Sequence, residues 1–101
     1  MWLIIDDTRE LNCEAIARTA EAAKQLLKRN CWECVCFDHD LGEGESGYDV
    51  MRWMFDMKIY PDHIQIVTSN PVGSKNMTSL LEEHKYVSKD GYNFYKGIDN
   101  N

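Results

Sequence analysis

The chain of 101 residues carries a formal net charge of −6, and 44% of its residues are hydrophobic. This length predicts a single domain spanning residues 1–101, and the composition is typical of a folded globular protein. The apolar runs are too short to cross a bilayer and no basic segment precedes an apolar stretch, which disfavours membrane spanning and secretion. The acidic balance disfavours general nucleic-acid binding and suits a cation site.

The cysteines indicate a reduced, cytoplasmic protein. Three of the four, Cys31, Cys34 and Cys36, lie within six residues, and the fourth is Cys13. Two of them point to the same side of a predicted strand, which fits free thiols better than a disulfide scaffold. The Cys31-x-x-Cys34 spacing precedes a strand instead of opening a helix, and no second ligand pair suggests zinc.

Apolar runs and helical periodicity predict alternating strands and helices in the first half of the chain. The first predicted strand covers residues 2–5, and a second short strand falls within residues 13–18. Thr19 is a predicted N-cap for a helix up to Asn30. A further strand covers residues 33–37.

The second half continues the alternation. A glycine-rich loop leads into a helix over residues 48–58, followed by a strand over residues 63–67. Gly73 and Ser74 open the next helix, and residues 86–88 form a last strand. The polar end of the chain is predicted to be loose, at least from about residue 96. The helix over residues 48–58 has an apolar face formed by Val50, Trp53, Met54 and Met57.

This order predicts an α/β fold with a compact, three-layer, flavodoxin-like parallel sheet. One connection is too short for that fold. Only residues 7–12 separate the first two strands, whereas a parallel crossover needs about a dozen residues or more. Either residues 13–18 are not a parallel neighbour of the first strand, or a helix usual in such folds is missing.

Polar side chains follow three of the predicted strands. Ligands of open parallel sheets bind outside the carboxyl ends of the strands. Each group alone is equally compatible with a solvated turn or a helix cap, but their coincidence at three strand ends favours a functional site. The residues are Asp6, Asp7, Asp38, His39, Asp40, Thr68, Ser69 and Asn70.

Converging carboxylates repel one another unless a cation lies between them, and oxygen ligands favour Mg²⁺ (or Mn²⁺). Thr68 and Ser69 could hydrogen-bond phosphate oxygens, and the helix start at Ser74 is a potential anion site.

Three sequence blocks, residues 37–42, 47–50 and 69–77, carry a family resemblance. The chain resembles the receiver domains of two-component response regulators, and more closely a divergent branch, the cyclic-phosphate processing receiver domains. The resemblance implies that Asp6 and Asp7 form the acidic pair of the family and that Asp38 occupies its phosphoacceptor position. It also implies that Thr68 is the hydroxyl residue after the fourth strand and that Lys89 is the lysine after the fifth.

The sequence departs from the family in two places. Val67 stands where the branch often has a histidine, so a catalytic or ligand histidine is absent there. The segment after Val87 is too short for a full final strand and helix, so the fold is expected to be abridged at the C-terminus as well as at the first helix.

The resemblance implies a magnesium-dependent phosphoesterase or phosphate-ester binder that acts on a cyclic phosphate, such as a 2′,3′-cyclic nucleotide end. The metal ligands would be Asp6, Asp7 and Asp38, and His39 or Asp40 would transfer the proton. The expected phosphate-binding residues are Thr68, Ser69, Asn70, Ser74 and Lys89. Two alternatives remain: a signalling receiver phosphorylated on Asp38, and a non-catalytic interaction or inhibitor protein, of viral origin for example. The expected partners are a small phosphorylated ligand and, in the alternatives, a protein.

Overall fold

A computed structural model describes residues 1–6, 14–41 and 44–97. Among the helices that it describes, none has the length and apolarity that a bilayer crossing requires. The elements, in chain order, are β1 (Trp2–Ile5), β2 (Ala15–Ala17), α1 (Ala20–Arg29), β3 (Cys34–Phe37), α2 (Gly47–Asp56), β4 (His63–Ile66), α3 (Pro71–Glu83), β5 (Tyr86–Ser88) and β6 (Asn93–Lys96).

These strands form a six-stranded sheet in the order β2-β1-β3-β4-β6-β5. The first four are parallel to their neighbours, and β6 runs antiparallel to both β4 and β5. The expected receiver-like α/β fold is therefore confirmed, with a mixed sheet where a parallel one was predicted. The difference arises at the end of the chain, because the short turn between β5 and β6 can join only antiparallel strands.

All three helices pack on one face of the sheet, so the described residues form two layers, and the prediction of three layers is corrected. Buried side chains of the helices and of alternate strand positions form one core, which includes Leu27, Met54 and Leu81. A third layer would need the helix that usually follows the first strand or the one that ends the domain.

The connection between the first two strands explains part of this difference. Strand β1 pairs in parallel with β2, with Ile4 opposite Ile16, although only residues 6–14 join the two strands. Residues 13–18 thus contain a parallel neighbour of β1, and in the described residues the chain after β5 continues as the strand β6, with no further helix. Residues 7–13 lie outside the described part of the chain.

The helix N-termini follow local capping chemistry. The Thr19 side chain accepts from the Ala22 N–H at 3.1 Å, which confirms the predicted N-cap of α1. Helix α3 begins at Pro71, earlier than the predicted start at Gly73, because the Asn70 side chain already caps the helix. Proline is favoured in the first turn, where its missing N–H costs nothing.

The buried face of α2 differs in one position from the prediction. Val50 and Met54 are buried as predicted, together with Met51 and Phe55. Met57 is 51% exposed because the helix ends at Asp56, which turns the following side chain away from the core.

The last strand ends where the predicted loose tail begins, at about residue 96. Strand β6 covers Asn93–Lys96, and its Phe94 side chain is buried in the core. Residues 98–101, the remainder of the predicted loose tail, lie outside the described residues.

Candidate functional site

The structure brings Asp6 and Asp38 together at the carboxyl edge of the sheet. Ile5 and Phe37 are register partners in β1 and β3, so the acids that follow them occupy neighbouring positions. The Asp38 N–H donates to the Ile5 carbonyl at 2.9 Å, which extends the pairing beyond the strand ends. Asp6 is fully buried and Asp38 is half-buried. The third predicted metal ligand, Asp7, lies outside the described residues.

His39 packs against the first turn of α3. A Cβ atom added to Gly73 would overlap the Cγ and Cδ2 atoms of the His39 ring, so the imidazole lies directly on the glycine backbone. The His39 side chain is only 22% exposed. The ring is therefore held between the loop after β3 and the start of α3.

The partners of His39 determine which ring nitrogen is available. Its Nδ1 lies 3.1 Å from Asp40 Oδ1, and Asn70 Nδ2 lies 3.5 Å from the same oxygen. The hydrogen bond from His39 lowers the pKa of the Asp40 carboxyl, and the Asn70 amide adds to the effect. Since the carboxylate accepts a hydrogen at Nδ1, neutral His39 keeps Nε2 as its proton acceptor.

Thr68 and Asn70 organise the start of α3. The Thr68 hydroxyl oxygen accepts from the Asn70 N–H at 3.1 Å, and Asn70 Oδ1 accepts from the Gly73 N–H at 3.0 Å. The Ser74 N–H donates to the Asn70 carbonyl at 2.9 Å, so this amide is not available to a phosphate. Ser69 is exposed beside them. Thr68, Ser69 and Asn70 are thus clustered, and Ser74 lies a turn into the helix.

Gly47 fixes the loop after β3 from the other side. Its N–H donates to the His39 carbonyl at 2.7 Å, and a Cβ there would overlap the Asp38 carbonyl oxygen. Residues 38–39 are therefore held between the starts of α2 and α3. The close contacts of Gly47 and Gly73 with the loop were not predicted from the sequence, in which Gly73 was interpreted only as the start of a helix. The available signal was a glycine in the first turn of a helix, where it lowers helix stability and implies a close approach.

Lys89 is not brought to this cluster. Strand β6 lies between β4 and β5, and Ser88 is level with Phe94 and Ile64 across the sheet. The exposed Lys89 therefore stands two strands away from β4, on the far side of β6.

Val67, at the position where a histidine was considered, has an apolar environment. Its N–H donates to the Phe37 carbonyl at 2.9 Å, and its side chain packs with Ile4 and Cys36 on the face opposite the helices. Position 67 therefore contributes no titratable side chain to the cluster, and the histidine of the cluster is His39.

The described residues contain no group of three or more His, Cys, Asp or Glu side chains that could hold a metal ion. The Asp6–Asp38 pair nevertheless fits the chemistry of Mg²⁺, which usually binds one or two carboxylates and completes its shell with water and phosphate oxygens.

Residues 1–83 match the sequence profile of the cyclic-phosphate processing receiver domain. The match contains every candidate site residue except Lys89. A comparison with curated proteins finds no match.

Proposed function

Because the chain belongs to the family of cyclic-phosphate processing receiver domains, we propose that it is a metal-dependent phosphoesterase that opens a cyclic phosphate, such as a 2′,3′-cyclic nucleotide end. The observation that carries this proposal is the anchored imidazole of His39, whose Nδ1 contacts Asp40 and whose ring lies on Gly73. A receiver that only accepts a phosphoryl group needs its aspartate but no neighbouring base.

In the proposed reaction, His39 Nε2 removes a proton from a water molecule as the water oxygen attacks phosphorus. The bond between phosphorus and one ribose oxygen breaks, and the leaving oxygen receives that proton, which gives a phosphate monoester. Asp40 orients the ring and stabilises its protonated form. Its lowered pKa keeps it ionised, so it acts as the partner of His39 and not as the acid.

The other residues position the phosphate. The Thr68 oxygen accepts a backbone hydrogen bond, which leaves its own hydrogen free to be donated to a phosphate oxygen. Asp6 and Asp38 would hold Mg²⁺, with Asp7 as a further predicted ligand. The ion would supply positive charge beside the phosphoryl oxygens.

The second candidate is a signalling receiver. It is favoured by the half-buried Asp38 at the end of β3, beside Asp6. The separation of Lys89 from β4 speaks against it, because a charge partner for the acceptor would have to lie close to Asp38. A non-catalytic binding protein is the third possibility.

Phosphorus NMR of 2′,3′-cyclic AMP with the full chain and Mg²⁺ tests the proposal. We expect ring opening that falls by about 10²- to 10⁴-fold in His39→Ala and is lost in Asp38→Asn. His63→Ala is a matched control and should keep the activity, because His63 lies level with Cys34 on the face of the sheet away from the helices.

Two further measurements separate the alternatives. Millimolar Mg²⁺ should raise the melting temperature of the wild type but not of Asp38→Asn. No turnover by the wild type, with Asp38 phosphorylated by acetyl phosphate, would establish the signalling receiver instead. The absence of both reactions would leave a binding protein without catalysis and would refute the hydrolase.

A further inference from the structure

The sheet face opposite the helices carries a row of side chains that runs across five strands. The register places Trp2, Cys34, His63, Tyr95 and Val87 directly opposite one another, on β1, β3, β4, β6 and β5. The Trp2 and His63 rings meet edge to face, with centroids 5.8 Å apart. The His63 and Tyr95 rings are stacked at 4.4 Å with an interplanar angle of 17°. The row therefore forms a ladder of rings that ends at Val87.

The His63 ring is held in place, and it supports Tyr95, the last ring of the ladder. His63 Nε2 lies 2.9 Å from Asn93 Oδ1, and Asn93 Nδ2 donates to Asp90 Oδ2 at 2.8 Å. The second contact fixes the orientation of the Asn93 amide, so His63 donates at Nε2. Since His63 is fixed and covers one face of Tyr95, the tyrosine ring is a preorganised platform that is still 51% exposed.

A groove lies where the ladder stops. It has a volume of about 540 Å³, within the usual range of ligand sites. Val87 is 61% exposed and much shorter than a ring, so it leaves a step beside the free face of Tyr95. The groove is lined by Val87, Ser88, Lys89, Asp90, Asn93 and Tyr95.

The groove contains one cationic side chain, Lys89, that can pair with an anion. Lys89, in the turn that follows β5, lines the same groove as Val87 and Tyr95. Lys89 is exposed and forms no ion pair with the other described residues. The Asp90 carboxylate points into the turn between β5 and β6, where it accepts hydrogen bonds from the N–H groups of Tyr92 and Asn93, each at 2.8 Å. It therefore competes little for Lys89.

We propose that this groove binds a nucleoside monophosphate, with the base stacked on Tyr95 above Val87 and the phosphate paired with Lys89. A planar base continues the ladder of rings, and stacking on an aromatic side chain is tolerant of base identity. The groove lies outside the Asp38 cluster, so this inference does not rest on hydrolysis there. In this groove, away from the Asp38 cluster, Lys89 would bind the phosphate.

The test is a titration of the full chain with AMP, followed by calorimetry and by proton NMR. We expect saturable binding with upfield shifts of the adenine protons, which report stacking. Adenosine and ribose 5-phosphate should each bind more weakly than AMP, because each keeps only one of the two contacts. Lys89→Gln should weaken AMP binding while it leaves adenosine binding unchanged.

Two variants address the stacking position. Tyr95→Ala removes the platform, and Val87→Phe fills the step with a ring of the protein itself; each should weaken AMP binding by about tenfold or more. Val87→Phe keeps strand propensity, so its melting temperature should not fall, and binding lost in this variant cannot be ascribed to unfolding. It should also hydrolyse a cyclic phosphate as the wild type does.

Val72→Phe is the matched control, since Val72 is a similarly exposed valine, 69% exposed, but lies at the start of α3. AMP affinity should be unchanged in Val72→Phe and in Asp38→Asn. Equal affinity for the wild type and Val87→Phe, or loss of binding in Asp38→Asn, would place AMP elsewhere and overturn the proposal. The absence of saturable binding at millimolar AMP would overturn it as well.

Discussion

The contact between His39 and Gly73 is the most specific feature of the candidate site at the scale of single residues. The imidazole occupies the space that the side chain of any residue other than glycine at position 73 would need. Asp40 and Asn70 then fix the rotation of the ring. In the proposed reaction a flexible histidine would have to be ordered in each turnover, whereas His39 is already positioned by the fold.

Gly73→Ala should therefore destabilise the protein, although alanine normally stabilises a helix. We expect a loss of about 1–3 kcal/mol in the free energy of unfolding, because the added methyl group overlaps the His39 ring. In the His39→Ala background the loss should be smaller, because the nearest ring atoms, Cγ and Cδ2, are removed and only the Cβ atom of residue 39, 2.7 Å from the added methyl group, remains. Urea denaturation of the four proteins measures this coupling. Equal effects in both backgrounds would show that the ring does not lie on Gly73.

At the scale of elements, the β5–β6 hairpin depends on one carboxylate. Asp90 accepts hydrogen bonds from the N–H groups of Tyr92 and Asn93 and from the Asn93 side chain. The Asn93 backbone, the Asn93 side chain and the Tyr92 backbone together hold the pKa of Asp90 far below its ordinary value. The ionised side chain thus stabilises the turn that sends the chain back between β5 and β4.

The acid dependence of stability should report this turn. Because the pKa of Asp90 is lowered on folding, its contribution is complete above the ordinary carboxyl pKa of about 4 and is lost as the pH falls further towards the native value. Asp90→Ala should lower the melting temperature at pH 7, and the difference from the wild type should shrink below about pH 4. Glu82→Ala, which removes an exposed carboxylate of α3, is the control and should show neither effect. A difference that stays constant down to pH 2 would contradict this role for Asp90.

The carboxyl edge of the sheet could be predicted from the sequence, whereas the final hairpin could not. Asp6 and Asp38 could be placed at one edge because apolar runs end abruptly at both, and parallel strands share a carboxyl edge. Strand β6 was not predicted, because only Phe94 is buried in it and its polar neighbours resemble a loop. The position of Lys89 depends on that strand and could not be inferred. The fit of His39 on Gly73 joins residues far apart in sequence, which no local pattern encodes.

At the scale of the whole molecule, the helices cover one face of the sheet, and the other face is packed with its own small and aromatic side chains. Cys34 and Cys36 are buried in the part of this face that also includes Ile4. The hydrogen bond with Cys36, together with burial, raises the pKa of the Cys34 thiol. In the described part of the chain, Cys31, Cys34 and Cys36 are free thiols, and Cys31 alone of these is exposed.

Thiol reactivity should follow this arrangement. In a Cys13→Ser protein, which restricts the count to the described cysteines, Cys31 should react rapidly with a thiol reagent in the native state. Cys34 and Cys36 should react only at the rate of unfolding because both are buried, and the raised pKa of Cys34 further suppresses its thiolate. Denatured, unreduced wild type should show all four thiols. A Cys31–Cys34 bridge or stoichiometric zinc would contradict this prediction.

The insertion of β6 between β4 and β5 has a consequence for self-association. Residues 1–83 contain β4 but neither of the strands beyond it. In a fragment of that length β4 would be an edge strand, and its N–H and C=O groups on one side would be unpaired. Such an exposed apolar edge promotes edge-to-edge association with other chains. The final hairpin therefore protects this edge, because β6 pairs with β4. The edge strand is then β5, which has only three residues and is flanked by charged side chains.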